Sequence, residues 1–88
     1  MKIKEGYLLR EVAGSNIVVP VGSGVMDFSG VITLNEVGAF IWRILEKGAT
    51  IEEVVDKMLE EYDVEKSVAK QDVEEYIARL RGAELIAD

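Results

Sequence analysis

Residues 30–59, with the sequence GVITLNEVGAFIWRILEKGATIEEVVDKML, decide the fold because a short apolar strand passes directly into two capped helices. Residues 31–34 have the β-branched and apolar composition of a strand. The side-chain oxygen of Asn35 can accept from the first free amides of the helix that follows. Thr33 and Glu36 have the spacing of a capping box, so the helix start can be set from either Thr33 or Asn35.

Three helices are predicted by apolar residues that recur every three or four positions. The apolar stripes are Val37, Phe40, Ile41, Ile44 and Leu45 in the first helix, Ile51, Val54, Val55, Met58, Leu59 and Tyr62 in the second, and Val73, Tyr76, Ile77 and Leu80 in the third. Gly48 is expected to end the first helix, and Thr50 with Glu53 forms a capping box for the second. Gly82 stands where a left-handed C-terminal cap of the third helix is expected.

The first third of the chain is rich in strand-forming residues. Residues 7–12 and 16–21 predict two strands of a hairpin, and the cluster Gly14-Ser15-Asn16 between them supplies turn residues. A glycine-rich loop at 22–30 leads to the third strand, and Leu85 and Ile86 are expected to return apolar side chains to the body. The pattern predicts one α+β domain over residues 1–88, a three-stranded antiparallel sheet followed by three helices, like a winged helix-turn-helix.

Composition and charge exclude several classes of function. The chain has 49% hydrophobic and 31% charged residues, a net charge of -7, and neither cysteine nor histidine. Without these two residue types the usual nucleophile activators and zinc ligands are missing, so we expect no enzyme activity, no metal and no cofactor. The acidic segment 50–62 and the lack of a basic stripe argue against nucleic-acid binding. No segment resembles a signal peptide or a membrane span, so we expect a cytoplasmic protein that binds no membrane.

Three segments resemble the coenzyme PQQ synthesis protein D (PqqD) family. They are LLREVAGSNIVVPVG at 8–22, DFSGVITLNEVGAFIWRILEKGATIEEVV at 27–55 and DVEEYIARL at 72–80, and the block LNEVGAFIW at 34–42 is the most specific of them. The resemblance implies a non-catalytic recognition element of the pathways that modify ribosomally made peptides. Members of the family bind the leader of a precursor peptide and present it to a modifying enzyme, usually a radical S-adenosylmethionine (radical SAM) protein.

The resemblance also implies a peptide-binding cleft between the third strand and the third helix, where the strand edge accepts the leader by β-augmentation. The candidate residues are Val31, Ile32 and Thr33 on the strand and Asp72, Glu75, Tyr76 and Arg79 on the helix. A shift of one residue in strand register exchanges the two faces of a strand, so either Val31 or Ile32 can face the core.

Several of these residues have a purely structural interpretation as well. Tyr76 lies on the apolar stripe of the third helix and can simply pack in the core. Glu75 and Arg79 have the spacing of a solvated ion pair on a helix surface. Trp42 lies at the margin of the first stripe, where it can belong to the core or contact a partner enzyme.

Two other functions fit parts of the sequence. A winged-helix regulator reads DNA with its last helix, but residues 65–81 carry no net charge and the preceding helix is acidic. A small acidic carrier protein bears a prosthetic arm on a serine, but Ser29 and Ser67 lack the Asp-Ser-Leu attachment sequence. Both a monomer and a weak homodimer are compatible with the sequence.

Overall fold

The computed structural model describes residues 1–20 and 32–87. The elements in chain order are β1 (Lys2–Ile3), β2 (Tyr7–Val12), β3 (Ser15–Pro20), β4 (Ile32–Leu34), α1 (Glu36–Glu46), α2 (Ile51–Glu61), α3 (Lys66–Gly82) and β5 (Ile86–Ala87). Strands β2, β3 and β4 form an antiparallel sheet in that order, and β1 pairs with β5. The predicted three-stranded sheet followed by three helices is therefore confirmed. Our predictions for the loop 22–30 and for Val31 lie outside the described residues.

The β2–β3 hairpin turns one position earlier than the sequence predicted. Ala13 and Gly14 form the turn, with φ angles of 51° and 82°, whereas Ser15 and Asn16 already belong to β3. Positive φ at both central residues is typical of a type I′ turn, whose twist matches the right-handed twist of the strands. Gly14 adopts this conformation easily, but at Ala13 it carries a steric cost.

Side-chain caps set the starts of the first two helices. The Asn35 side chain accepts a hydrogen bond of 2.7 Å from the main-chain N–H of Gly38, so Asn35 and not Thr33 begins α1. Gly48 follows the end of α1 with a φ of 86°, as predicted. Thr50 and Glu53 form the predicted capping box at α2, with reciprocal hydrogen bonds of 3.1 and 3.0 Å. These caps fix where the chain leaves β4 and where it turns between α1 and α2.

The end of α3 differs from the prediction. Gly82 remains within the helix, and the left-handed residue is Glu84, with a φ of 61°. The Leu85 N–H donates to the Leu80 oxygen at 2.9 Å and the Glu84 N–H donates to the Arg81 oxygen at 3.0 Å, which is the Schellman pattern. This hydrogen-bond pattern joins Leu80 to Leu85, and both side chains are buried in the core, so the helix ends where both can be buried.

The core is formed mainly by the three helices, and Val18 and Leu34 of the three-stranded sheet and Ile3 and Ile86 of the β1–β5 sheet pack into it. Trp42 and Leu45 of α1 are completely buried, at 0% exposure, and Val54 and Val73 of the other helices are equally buried. Of the two interpretations of Trp42 that the sequence allowed, burial in the core is therefore the one that the structure confirms. Leu85 and Ile86 return to the body as predicted, and Ile86 pairs with Ile3 in the small β1–β5 sheet, which the sequence did not predict.

Candidate functional site

Within residues 1–20 and 32–87, strand β4 is an edge of the sheet, and its register decides which main-chain groups face outward. Val12 and Ser15 flank the two-residue turn, so they form a hydrogen-bonded pair. Hydrogen-bonded and non-hydrogen-bonded pairs alternate along antiparallel strands, so the next hydrogen-bonded pair contains Ile17, whose N–H and C=O point toward β2. Thr33 lies opposite Ile17. Since Ile17 directs its main-chain groups toward β2, Ile17 and Thr33 form a non-hydrogen-bonded pair. The N–H and C=O of Thr33 therefore point away from β3, toward the open edge.

A cleft of about 320 Å³ runs beside this edge, between β4 and α3. The first turn of α1 lies between them because Asn35 joins β4 directly to that helix. The lining residues are Thr33, Leu34, Asn35, Val37, Gly38, Ile41, Asp72, Glu75, Tyr76 and Arg79. Leu34, Val37 and Ile41 give the cleft an apolar side, and the exposed polar residues of α3 form the opposite wall.

Gly38 and Tyr76 meet inside the cleft. The Tyr76 hydroxyl donates a hydrogen bond of 2.7 Å to the Gly38 oxygen, and this bond joins α3 to the first turn of α1. A Cβ on Gly38 would lie 3.2 Å from Cε2 of the Tyr76 ring and 3.2 Å from Oδ1 of Asn35. The glycine therefore allows the ring to approach the helix closely, and the two residues together set the distance between the cleft walls.

The environment of Tyr76 keeps its hydroxyl protonated. Burial raises the pKa of the half-buried Tyr76 phenol well above its ordinary value, and the positive charge of Arg79 only partly opposes this effect. Since the phenol stays neutral at all physiological pH values, it remains a hydrogen-bond donor to Gly38. Tyr76 thus packs α3 against the core and also lines the cleft. The sequence had offered core packing and a place in the cleft as alternatives, and the structure is compatible with both.

The α3 wall carries charges of both signs. Asp72 and Glu75 lie toward the start of the cleft wall and Arg79 follows one turn later, and all three side chains are exposed. The Glu75 carboxylate accepts a hydrogen bond of 3.4 Å from the Gln71 side-chain amide. A ligand in the cleft would therefore face negative charge near the middle of α3 and positive charge one turn closer to its C-terminus.

The structure brings most of the predicted site residues together. Thr33, Asp72, Glu75, Tyr76 and Arg79 all line the cleft. Ile32 does not, because it stands opposite the buried Val18 and packs against the core.

The sequence prediction missed the contribution of α1 to the cleft. Val37, Gly38 and Ile41 line it together with the capping residue Asn35. A signal for them was present, since a helix that begins one residue after an edge strand must place its first turn beside that strand.

The described residues also bear on metal binding and on membrane insertion. Residues 1–20 and 32–87 contain no group of acidic residues arranged to hold a metal ion. Within the same ranges no helix is long and apolar enough to cross a membrane.

Comparison with known families supplies the decisive observation. Residues 17–86 match the family described as coenzyme PQQ synthesis protein D (PqqD). The chain belongs to the PqqD family. All residues that line the cleft of this PqqD family member lie inside the matched range, whereas β1 and β2 lie outside it.

Two solved structures resemble this PqqD family member over nearly its whole length. TbiB1 in complex with the TbiA(beta) leader peptide has a TM-score of 0.76 at 27% identity, and the match covers 100% of both chains. Lasso peptide synthetase B1 complexed with the leader peptide has the same TM-score at 18% identity, covering 99% of this chain and 96% of that one. The second likeness concerns the fold alone. No curated protein sequence matches this PqqD family member at a significant level.

Proposed function

We propose that this protein is a non-catalytic recognition element that binds the leader of a ribosomally made precursor peptide by β-augmentation and presents it to a modifying enzyme. One observation carries the proposal: the outward N–H and C=O of Thr33 lie on an edge strand beside a cleft with an apolar side. An extended peptide satisfies such an edge with its own main chain and places alternate side chains in the cleft. The likeness to TbiB1, which was solved with a leader peptide, supports this assignment.

Main-chain pairing alone gives too little affinity. The two groups of Thr33 offer two hydrogen bonds, which contribute about 1–3 kcal/mol in total. Micromolar binding requires about 8 kcal/mol, and ordering a flexible leader adds a further cost. Burial of an apolar side chain contributes about 1.5–3 kcal/mol, so two or three leader side chains packed on Val37, Ile41 and Tyr76 make up the difference.

The site that we propose consists of the edge strand and the α3 wall. Its residues are Val31, Ile32, Thr33, Asp72, Glu75, Tyr76 and Arg79, extended by Val37, Gly38 and Ile41 of α1. Ile32 contributes main chain only, since its side chain packs against the core. Asp72 and Glu75 favour a basic leader residue, and Arg79 favours an acidic one further along the same face.

We propose a radical SAM protein as the modifying enzyme, on the basis of the family resemblance. The recognition element itself needs no cofactor under this proposal, and it acts in the cytoplasm as a monomer or a weak homodimer. Catalysis then belongs to the partner, while this chain supplies affinity and orientation for the substrate.

A titration of isotopically labelled protein with the leader of a precursor peptide encoded beside its gene tests the proposal. Amide shifts are expected at residues 32–34 and 72–80, with saturation at micromolar concentration. Shifts confined to residues 50–62 would instead place the ligand on the acidic helix α2 and overturn the proposed site.

A proline at the edge provides a sharper test. The Thr33 N–H takes no part in the pairing with β3, so Thr33→Pro keeps the sheet but removes the outward donor and places a ring in the path of the peptide. We expect leader affinity to fall more than about tenfold, which corresponds to losing about 1.4 kcal/mol or more. Thr33→Val is the matched control, because it changes the side chain and keeps the N–H. Equal affinities of the two variants would contradict β-augmentation at this edge.

A further inference from the structure

A second groove lies between α1 and α2, away from the cleft. Its volume is about 420 Å³, against about 320 Å³ for the cleft, and the two share no lining residue. Helix α1 serves both sites with different faces, since Val37 and Ile41 line the cleft whereas Phe40 and Ile44 line the groove. Occupation of one site therefore leaves the other open.

The groove has an apolar floor and defined ends. Phe40, Ile44 and Ala49 are half-buried and form the floor. At one end the Phe40 ring meets the Tyr62 ring edge to face, with a centroid distance of 5.4 Å and an interplanar angle of 89°. The turn at Gly48 closes the other end. At 1.5 Å per residue, the α2 wall from Glu53 to Glu61 is about 12 Å long, which is about two helical turns.

The two walls carry charges of opposite sign. The α1 wall of the groove is positive, because its charged lining residues are Arg43 and Lys47. The α2 wall is mainly negative, and its lining residues are Glu53, Lys57, Glu60 and Glu61. These side chains are exposed, so an occupant of the floor would meet a basic wall on one side and an acidic wall on the other.

We propose that this groove binds an amphipathic helix of a partner protein, about two turns long, with an apolar ridge between an acidic and a basic flank. A helix fits better than a strand, because α1 and α2 bond their main-chain groups internally and offer no edge to pair with, whereas a helix satisfies its own main chain. The apolar ridge covers Phe40 and Ile44. The acidic flank faces Arg43 and Lys47, and the basic flank faces the glutamates of α2.

Synthetic helical peptides test this assignment, because they require only the charge pattern of the partner and not its identity. Three alanine-based 16-residue peptides share one leucine ridge: the first has glutamate on one flank and lysine on the other, the second lysine on both, and the third glutamate on both. Each is titrated into labelled full-length protein. We expect the mixed-flank peptide to bind most tightly and to shift the amides of Phe40, Ile44, Gly48 and Ala49.

A charge reversal on one wall provides the matched control. The double variant Arg43→Glu with Lys47→Glu makes both walls negative, and both residues are exposed, so the fold should be unchanged by circular dichroism. We expect it to lose about tenfold in affinity for the mixed-flank peptide and to prefer the peptide with lysine on both flanks. The proposal is overturned if the mixed-flank peptide causes no saturable shifts at the groove, or if all three peptides bind both proteins equally. Neither result bears on leader binding in the cleft, which has its own lining residues.

Discussion

The Tyr76 hydroxyl donates a 2.7 Å hydrogen bond to the main-chain oxygen of Gly38, across the 38 positions that separate the two residues in the chain. Because β4 continues into α1 through a single capping residue, this bond fixes the position of α3 relative to the edge strand as well. The two walls of the cleft are thus connected by one tyrosine, and changes to either residue should affect stability and peptide binding together.

Removal of the hydroxyl should weaken this connection. Tyr76→Phe keeps the ring and deletes one hydrogen bond, so we expect the free energy of unfolding to fall by about 1 kcal/mol. Leader affinity should fall as well, since the α3 wall loses its fixed distance from the edge strand. Urea unfolding and the leader titration measure the two effects. A variant as stable as the wild type would show that the bond makes no net contribution.

Alkaline pH should destabilise the protein through Tyr76. Its pKa is higher in the folded chain than the ordinary value of about 10, so the folded state keeps the proton longer than the unfolded state does. The resulting stability is present below pH 10 and is lost as the pH rises through the higher folded pKa. Unfolding measured from pH 8 to 11 should show a smaller alkaline loss in Tyr76→Phe. Identical profiles would exclude Tyr76 as the source.

Two glycines in helices should respond in opposite ways to alanine. At Gly38 the new Cβ would lie 3.2 Å from the Tyr76 ring, and overpacking of about 1–3 kcal/mol outweighs the gain of about 1 kcal/mol in helix propensity. Gly82, at the end of α3, has nothing within 4 Å of an added Cβ. We therefore expect Gly38→Ala to lower the melting temperature and Gly82→Ala to raise it. A rise in both would refute the close approach of the ring.

The left-handed residue after α3 offers a stabilising change. Glu84 has a φ of 61°, a conformation that costs about 1 kcal/mol for a residue with a Cβ. Glu84→Gly should therefore increase the free energy of unfolding by up to about 1 kcal/mol. Ala83→Gly is the control, because Ala83 has a φ of -89° and gains nothing from glycine. Equal effects of the two changes would argue against strain at Glu84.

Local signals in the sequence predicted the start of α2 and the order of the three longer strands and the three helices, and they left Thr33 and Asn35 as alternative caps of α1. The Asn35 cap and the Thr50 capping box depend on residues within three positions of each other, so the sequence carries the information directly. The position of the left-handed residue that ends α3 was predicted wrongly, for a different reason. Gly82 is the residue that local preference selects, but the burial of Leu80 against Leu85 moves the left-handed position to Glu84.

The candidate site was predicted in part for similar reasons. Thr33 and the named residues of α3 line one cleft, and their role in binding stays a prediction. The orientation of Ile32 depends on its register with Val18, which is set by a distant part of the chain. The pairing of β1 with β5 joins residues near the two ends of the described chain, and two-residue strands leave too little sequence pattern to be recognised.

That pairing has a practical consequence for how the domain can be combined with others. Lys2 stands opposite Ala87 in the antiparallel register, so the two ends of the described fold lie at neighbouring points. A unit with adjacent entry and exit can be inserted into a surface loop of another protein without distorting either fold. Fusions to a modifying enzyme, at one end or within a loop, should therefore leave the cleft accessible, because no residue that lines it lies in β1 or β5. The groove lies closer to the junction, since the main chain of Met1 exchanges hydrogen bonds with that of Ala49, which lines the groove.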